Sequence, residues 1–295
     1  MTGAISTARH FYFYQKERFP LIVLGLSLLP AIVSSGAVVG AQVDSRFVLT
    51  ALGISLAYLL HIRVIDEFRD YAHDLEHHAD RPVSSGAITL AELQRVDWLA
   101  LLVMGVVSAY AGFQALLVAG VMVLYSHVAR REFYMGARFR RHFFLYNAVN
   151  LIQILLLQLL VYTIADPTFS FTTLIVVHFL FTSTGTIIFE FLRKVKNPGA
   201  DGSGKDTYTY YLGLNTALLV YAILAALNIT LFANAMALMV SSIVYWLPVA
   251  VVLAGGAFGT LLVHLVARVE RTNKLMQLSF IVMYGGYNIL LFLAI

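Results

Sequence analysis

The sequence predicts an all-α, polytopic membrane protein, because three observations agree. Hydrophobic residues make up 60% of the 295 residues and charged residues only 12%, a balance typical of membrane proteins rather than soluble domains. Apolar runs long enough to span a bilayer recur along the chain. The basic residues lie in alternate connections between these runs, as the positive-inside rule requires.

Nine transmembrane helices are predicted, forming a single transmembrane domain over residues 21–295 with cytoplasmic cap loops. The eighth helix is overlong and contains Pro248, Gly255 and Gly256, which predict a kink or a tilt. A turn at Gly112 separates the third helix from the fourth. The predicted helices lie at about 21–39, 47–74, 90–112, 113–133, 143–164, 169–194, 210–232, 236–266 and 275–295.

Residues 1–20 precede this domain and are rich in aromatic and basic residues. We interpret them as an interfacial segment, a helix lying at the membrane surface, and we expect no removable signal peptide. The chain has no cysteine, which excludes disulfides and thiolate metal sites. We expect no nucleic-acid partner.

The positive charges predict the topology. All lysines and arginines except Arg46 lie before the first predicted helix or around the connections that follow even-numbered helices. The N-terminus and these connections are therefore expected in the cytoplasm, and the C-terminus on the opposite side. The expected location is integral to a membrane, the cell inner membrane, with the active site on the cytoplasmic side.

The stretch over residues 65–86 carries the main functional signal. Asp66, Asp70 and Asp74 are spaced by four residues, so they share one helix face, and Glu67 joins that face. Four carboxylates stacked over two turns repel each other unless a cation lies among them. Oxygen ligands of this kind favour Mg²⁺ or Ca²⁺. The alternative is a solvated acidic helix end, but the adjoining membrane-length apolar run favours function.

A second acidic motif ends the sixth predicted helix. Glu190 is the only carboxylate in that apolar helix, which favours a functional role, and Lys194 follows one turn later. Asp201 and Asp206 lie in the glycine-rich loop beyond. Ordinary turn chemistry explains Asp201 equally well, and a helix N-cap would explain Asp206.

Two other patterns are weaker. Residues 199–205 resemble a phosphate-binding P-loop, but Lys205 is followed by aspartate and the run follows a helix rather than a strand, so no P-loop is predicted. His73, His77 and His78 permit a zinc site. We interpret these histidines instead as polar residues of a cytoplasmic loop.

These residues resemble the UbiA-type membrane prenyltransferase superfamily. The family pattern is an Asn-Asp pair, an Asp three residues later, an Asp four residues after that, and an Arg-Pro loop ending in Gly. Asp66 stands at the Asn position and Glu67 at the first Asp, while Asp70 and Asp74 match the other two. Residues 81–86 (RPVSSG) match the loop.

The nine helices and the second acidic motif also match the family. The family usually has two aspartates four residues apart at the second motif, whereas Glu190 and then Lys194 stand here. This departure leaves the ligands of a second metal ion open.

The resemblance implies a helical bundle with a cavity opening to the cytoplasm and the lipid. The implied reaction is ionisation of an isoprenoid diphosphate, followed by attack of an aromatic or other hydrophobic acceptor on the allylic cation. Membrane lipid would supply both substrates laterally, and the oligomeric state stays open.

The resemblance also implies site residues. Mg²⁺ ions would neutralise the diphosphate, held on one side by Asp66, Glu67, Asp70 and Asp74, and on the other by Glu190 with Asp201 or Asp206. The catalytic residues would be Asp66, Asp70, Asp74 and Glu190. Predicted diphosphate-binding residues are Arg63, Arg81, Arg130, Arg193, Lys194 and Lys205. From residue type alone, predicted cavity-lining residues, some of the aromatic ones facing the carbocation, are Tyr71, Tyr125, Asn147, Asn150, Phe189, Tyr208 and Tyr284. For Asn147 and Asn150, hydrogen bonding between helices is an equal alternative.

Two alternative functions share part of this pattern. A UbiA-type terpene cyclase would keep the fold and the metal site but quench the cation within the same molecule, without an acceptor. A cation-linked membrane transporter would bind its ion near mid-membrane at broken helices. Both acidic motifs instead lie at the predicted cytoplasmic ends of helices.

The topology leads to a labelling prediction. Cysteines introduced at positions 81, 138 and 205 of this cysteine-free chain should react with an impermeant maleimide only from the cytoplasmic side, because basic connections remain there. Intact cells and inverted vesicles would be compared. Labelling of any of the three positions in intact cells would contradict the nine-helix topology.

Overall fold

The computed structural model describes residues 2–136, 141–197, 207–240 and 242–294. Regular structure within these ranges is helical, without a strand. Short 3₁₀ turns lie at Glu132–Tyr134 and Ile243–Tyr245. The α-helices are α1 Thr2–Arg18, α2 Leu21–Val38, α3 Ser45–His77, α4 Leu90–Ala111, α5 Phe113–Arg130, α6 Phe143–Ala165, α7 Thr173–Arg193, α8 Tyr208–Leu212, α9 Leu214–Met239, α10 Leu247–Ala267 and α11 Glu270–Leu293.

Eight helices of the described ranges are long and apolar enough to cross a membrane, namely α2, α3, α5, α6, α7, α9, α10 and α11. They identify the chain as an integral membrane protein and confirm the predicted all-α class. The helix α4 occupies the third predicted span but is not among the eight, since Glu92, Arg95 and Asp97 lower the hydropathy of its first turns. The count of nine spans therefore stays a prediction.

Several helix ends differ from the predicted ones. The helix α9 continues to Met239, and α10 starts only at Leu247. Pro248 lies in the first turn of α10, where its missing N–H costs nothing and its fixed φ suits the helix, so it begins this helix rather than kinking an overlong one. The predicted span 210–232 is divided at Gly213. This residue has a φ of 75°, and it separates α8 from α9.

The chain divides into two compact units, Met1–Leu29 with Asp44–Pro167, and Pro30–Val43 with Thr168–Ile295. The division falls inside α2 at Pro30. The single transmembrane domain predicted for residues 21–295 stays a prediction.

The first unit packs α3 against α4, α4 against α5, and α5 against α6. The segment of residues 1–20 is part of this unit, because Tyr14 and Phe19 are buried in its apolar core beside Tyr58 of α3. Tyr12 and Phe13 on the same helix are exposed. Only part of the aromatic surface of α1 is therefore available for the predicted contact with the membrane surface.

A buried polar network joins three helices of this unit. The His61 imidazole bonds through Nδ1 to the Asp97 carboxylate at 2.6 Å and through Nε2 to the Ser126 hydroxyl at 2.8 Å. All three side chains are buried, and Gln94 donates to the second Asp97 oxygen at 3.2 Å. With every member buried and bonded, we interpret this Ser-His-Asp arrangement as interhelical bonding.

The second unit packs α7 against α9 and α10 against α11. The ring of Phe232 stacks on that of Tyr287 at 4.0 Å. The Ser34 hydroxyl bonds to His178 at 3.0 Å and to Asn288 at 2.7 Å. These buried contacts tie the end of α2 to α7 and α11.

The capping box of α4 leads to a pH prediction. The Thr89 hydroxyl accepts from the Glu92 N–H at 3.2 Å, and the Glu92 carboxylate accepts from the Thr89 N–H at 2.9 Å. That backbone N–H holds the pKa of Glu92 below its usual range. A lowered pKa stabilises the fold above the unfolded value, and the contribution is lost as pH falls through the folded value.

Thr89→Ala should therefore lower the free energy of unfolding by about 1 kcal/mol at neutral pH. Glu92→Gln should remove part of the wild-type decline in stability below the usual pKa of glutamate. Thermal unfolding in detergent between about pH 6 and pH 3, a range spanning that pKa, measures both. Identical pH profiles for the wild type and Glu92→Gln would contradict this assignment.

Candidate functional site

The four predicted carboxylate ligands lie in the last three turns of α3. At the other end of this helix, the Asp44 side chain caps the N-terminus by accepting from the Phe47 N–H at 2.8 Å. Glu67 and Asp74 are seven residues apart, about two turns, and lie on the same buried stripe. The side chains of Asp66 and Asp70 are 31% and 41% exposed. Of the four predicted metal ligands on this segment, two are therefore buried and two are accessible.

Glu67 joins α1 to α3. Its Oε1 accepts from Arg63 Nη2 at 2.5 Å, from Arg18 Nε at 3.2 Å and from the Tyr14 hydroxyl at 3.2 Å. Burial raises the pKa of Tyr14, so its hydroxyl remains a neutral donor. Glu67 as a metal ligand and Arg63 as a diphosphate contact stay predictions, and the observed pairing gives both a role in holding α1.

Asp74 binds the loop that follows α3. Its Oδ1 accepts from Arg81 Nη1 at 2.5 Å. The loop itself is held by turn bonds, including that from the Ser85 N–H to the Arg81 carbonyl at 2.8 Å. Gly86 has a φ of 77°, a conformation that glycine adopts without strain. The Arg-Pro loop therefore folds back so that its first residue neutralises Asp74, the last of the four predicted ligands on α3.

Asp66 and Asp70 share a guanidinium that the sequence analysis missed. Arg69 donates through Nη2 to Asp66 Oδ1 at 2.6 Å and through Nε to Asp70 Oδ1 at 3.2 Å. Its side chain is only 11% exposed, and its guanidinium lies 5.6 Å from the Tyr146 ring centre. The available signal was its spacing, three residues after Asp66 and one before Asp70.

Each of the four carboxylates is therefore paired with arginine, and Arg18, Arg63, Arg69 and Arg81 together supply four positive charges. Residue spacing alone predicts repulsion among these carboxylates, because it does not reveal their arginine partners. Within the described ranges, no group of three or more histidines and carboxylates could hold a metal ion. That result covers Asp66, Glu67, Asp70 and Asp74 as well as the three histidines, so the four-carboxylate site and the zinc alternative both stay predictions.

The other predicted residues of this unit bond mostly to nearby backbone. The Tyr125 hydroxyl donates to the Val149 carbonyl at 2.7 Å. Asn147 and Asn150 donate to carbonyls one turn earlier on α6, at 2.7 and 2.9 Å. Tyr71 is half-buried against the apolar core. The Arg130 guanidinium lies 4.5 Å from the Phe68 ring centre, a cation–π geometry.

An apolar groove of about 720 Å³ opens between α1, α3 and α4 in the first unit. Its lining includes Phe11, Leu56, Leu60, Leu99 and Val103, with Arg95 as the charged member. The seven predicted cavity residues all belong to the described ranges, and none of them lines this groove. Their role in a cavity stays a prediction.

At the second motif, Glu190 binds two cations on its own helix end. Arg193 donates to it twice, through Nε at 2.9 Å and Nη2 at 2.7 Å. The Lys194 ammonium lies 3.2 Å from its Oε1. The acidic residue and the basic residues that the sequence singled out here are thus brought together by direct ion pairs.

The surroundings of Glu190 fix the end of α7. The Tyr208 ring packs against Phe191 at 4.4 Å, and burial, with the nearby negative charge of Glu190, raises the pKa of Tyr208 to about 12. Phe189 is exposed. Tyr284 packs against α7 so closely that a Cβ built on Gly185 would lie 2.2 Å from its ring, which is why glycine is needed there.

Three predicted site residues of the second motif lie outside the described residues, namely Asp201, Lys205 and Asp206. The same holds for Arg138 in the connection after α5.

Comparison with solved structures gives matches that cover most of the chain. A UbiA homologue from Aeropyrum pernix K1 in its apo form aligns over 91% of this chain and 98% of its own, at 14% identity and a TM-score of 0.63. A UbiA homologue from Archaeoglobus fulgidus bound to DMAPP and Mg²⁺ aligns over 96% and 99%, at 15% identity and 0.58. The chain has the UbiA-type fold.

A further match of this fold is a digeranylgeranylglyceryl phosphate synthase, which aligns over 94% of this chain and 99% of its own, at 16% identity and a TM-score of 0.54. No family model matches the sequence, and no curated protein does. The UbiA-type resemblance seen in the helix pattern and the acidic motif is thus confirmed at the level of the fold.

The two kinds of carboxylate predict opposite outcomes of substitution. Glu67→Gln leaves two largely buried guanidiniums without their counter-charge and should lower the free energy of unfolding by about 3–5 kcal/mol. Asp70→Asn breaks a partly exposed pair and should cost about 0–1 kcal/mol. Denaturant unfolding of the purified variants in one detergent measures both. Equal losses would contradict the division into buried and accessible carboxylates.

Proposed function

We propose that this chain is a Mg²⁺-dependent intramembrane prenyltransferase, which moves an isoprenoid group from an isoprenoid diphosphate to an aromatic or other hydrophobic acceptor. The observation that carries the proposal is the accessible pair Asp66 and Asp70 at the end of an apolar helix of a UbiA-type fold. Two structures with this fold were solved with Mg²⁺ and DMAPP or GPP, which supports the same substrate class here.

The donors at the end of α3 suit Mg²⁺. This ion commonly takes one or two carboxylates, keeps several waters and completes its shell with substrate phosphates. Asp66 and Asp70 supply two accessible carboxylates one turn apart on α3, and so meet this requirement without a third protein ligand. When bound, the ion would neutralise charge on the departing diphosphate.

The buried carboxylates have a supporting role in this proposal. Glu67 holds α1 and Asp74 holds the Arg-Pro loop, so each orients an element beside the accessible pair. Glu190 stays a predicted ligand of a second metal ion, together with Asp201 or Asp206 from outside the described residues.

Basic residues would bind the diphosphate oxygens directly. Planar guanidiniums bind phosphate through two parallel hydrogen bonds, whereas lysine acts as a point charge. The candidates from the sequence remain proposals, and we add Arg69, because it already lies at the accessible carboxylates. The earlier candidates are Arg63, Arg81, Arg130, Arg193, Lys194 and Lys205.

The membrane would supply both substrates and limit hydrolysis. The spans are apolar along most of their length, which keeps water away from a reactive cation. The distribution of basic residues supports a cytoplasmic site with the N-terminus on the same side, in the inner membrane.

The helix α3 also favours an enzyme over a transporter. It runs from Ser45 to His77 through all four carboxylates, whereas transporter ion sites are formed by discontinuous helices near mid-membrane. A terpene cyclase would use the same metal chemistry and differs only in its product.

Purified protein should consume an isoprenoid diphosphate in the presence of Mg²⁺. This reaction should stop in excess chelator, because the charge of the leaving diphosphate is then no longer neutralised. Mass spectrometry of products, with several diphosphate chain lengths and with or without aromatic and lipid acceptors, measures transfer. A prenylated acceptor among the products would support the proposed prenyltransferase. A cyclic hydrocarbon or alcohol formed without an acceptor would instead identify a terpene cyclase.

The matched test uses two variants of α3. Asp70→Asn should lower turnover at least about 100-fold, the lower range for loss of one transition-state electrostatic contact, while the protein stays folded. Glu76→Gln removes a carboxylate six residues later, where the side chain is 77% exposed and pairs with His77, and should keep wild-type turnover. Equal activity of the two variants, or full turnover in chelator, would refute the proposal.

A further inference from the structure

Arg69 bridges the two carboxylates that would hold the proposed metal ion. It contacts Asp66 at 2.6 Å and Asp70 at 3.2 and 3.5 Å, so its guanidinium spans the two carboxylates from one helical turn to the next. The carboxylates are partly exposed, whereas the arginine is nearly buried. A cation bridging the same two carboxylates would have to displace this guanidinium.

The charge balance of the acidic stretch adds a second constraint. The carboxylates of Asp66, Glu67, Asp70 and Asp74 are matched by the guanidiniums of Arg18, Arg63, Arg69 and Arg81. A divalent cation arriving alone would place two positive charges on a set of groups that is already neutral. A cation arriving with an anionic diphosphate would not, because the diphosphate brings compensating negative charge.

We propose that Arg69 is a built-in counterion of Asp66 and Asp70, which leaves these carboxylates when a divalent metal binds together with diphosphate. The released guanidinium then pairs with the diphosphate oxygens, for which its planar fork is suited. The inference rests on the proposed function and adds an order of events: metal and diphosphate bind as a pair, and Arg69 transfers from one anion to the other.

The inference has a thermodynamic consequence. If Arg69 competes with metal in the free protein and binds diphosphate in the loaded one, each ligand raises the affinity for the other by the same factor. Removing the guanidinium relieves the competition and also removes the diphosphate contact. The variant should therefore bind metal alone more tightly and depend less on diphosphate.

The test measures retention of Mn²⁺, a stand-in for Mg²⁺, by the full-length protein in detergent. Equilibrium dialysis at a fixed free Mn²⁺ concentration is run with and without inorganic pyrophosphate. Arg69→Gln should bind Mn²⁺ alone about tenfold more tightly than wild type, and pyrophosphate should raise its affinity by a smaller factor. Arg95→Gln is the charge-matched control, since that exposed residue lies at the groove on α4, and should behave as wild type.

Arg69→Lys keeps the charge without the fork and should give an intermediate Mn²⁺ affinity, so the test stands if Arg69→Gln does not fold. Unchanged or weaker Mn²⁺ binding by the Arg69 variants, with wild type still binding Mn²⁺ and pyrophosphate together, would overturn the inference alone and make Arg69 a supporting residue. Lack of Mn²⁺ binding by every protein in the presence of pyrophosphate would overturn the proposed function as well.

Discussion

The pairing of carboxylates with guanidiniums on α3 is the interaction on which the arrangement of the first unit depends. A buried ionised carboxylate without a partner is costly in an apolar surrounding. Glu67 is therefore satisfied by side chains of α1 and α3, and Asp74 by the loop that follows. The positions of the N-terminal helix and of the Arg-Pro loop both follow from neutralising one acidic helix end.

Much of the fold was predictable because the bilayer restricts what a chain can do. Apolar runs of membrane length must form helices, and such runs are visible in α2 and α6 without any knowledge of tertiary contacts. Pro248 was misleading because proline breaks a helix interior but starts a helix well. The structure shows the second case, because α9 ends before Val240, whose backbone is extended, and a new helix starts at Leu247. The buried network around His61 was invisible in the sequence, since its members come from three helices.

The candidate site was predictable in its residues but not in their pairing. The four-residue spacing identified the acidic face, yet spacing alone does not separate Asp66 and Asp70, which face outwards, from Glu67, which faces α1. The role of Arg69 depends on a side-chain conformation that spans one turn. Arg18 enters only through the packing of α1, and no local pattern around it indicates a distant carboxylate partner.

The end of α7 is held by hydrogen bonds from α11, a helix that is synthesised much later. Asn273 donates to the Val195 carbonyl at 3.0 Å and Gln277 to the Leu192 carbonyl at 3.1 Å, so α11 satisfies one carbonyl in the last turn of α7 and one just beyond its end. Chains are made from the N-terminus and segments generally fold in that order. The ribosome must therefore add about 80 more residues before α7 gains these partners, an interval that corresponds to roughly 4–16 seconds at ordinary elongation rates. During synthesis these carbonyls are accessible to the factors that assist membrane insertion. A chain that is truncated before α11 lacks the hydrogen bonds from Asn273 and Gln277.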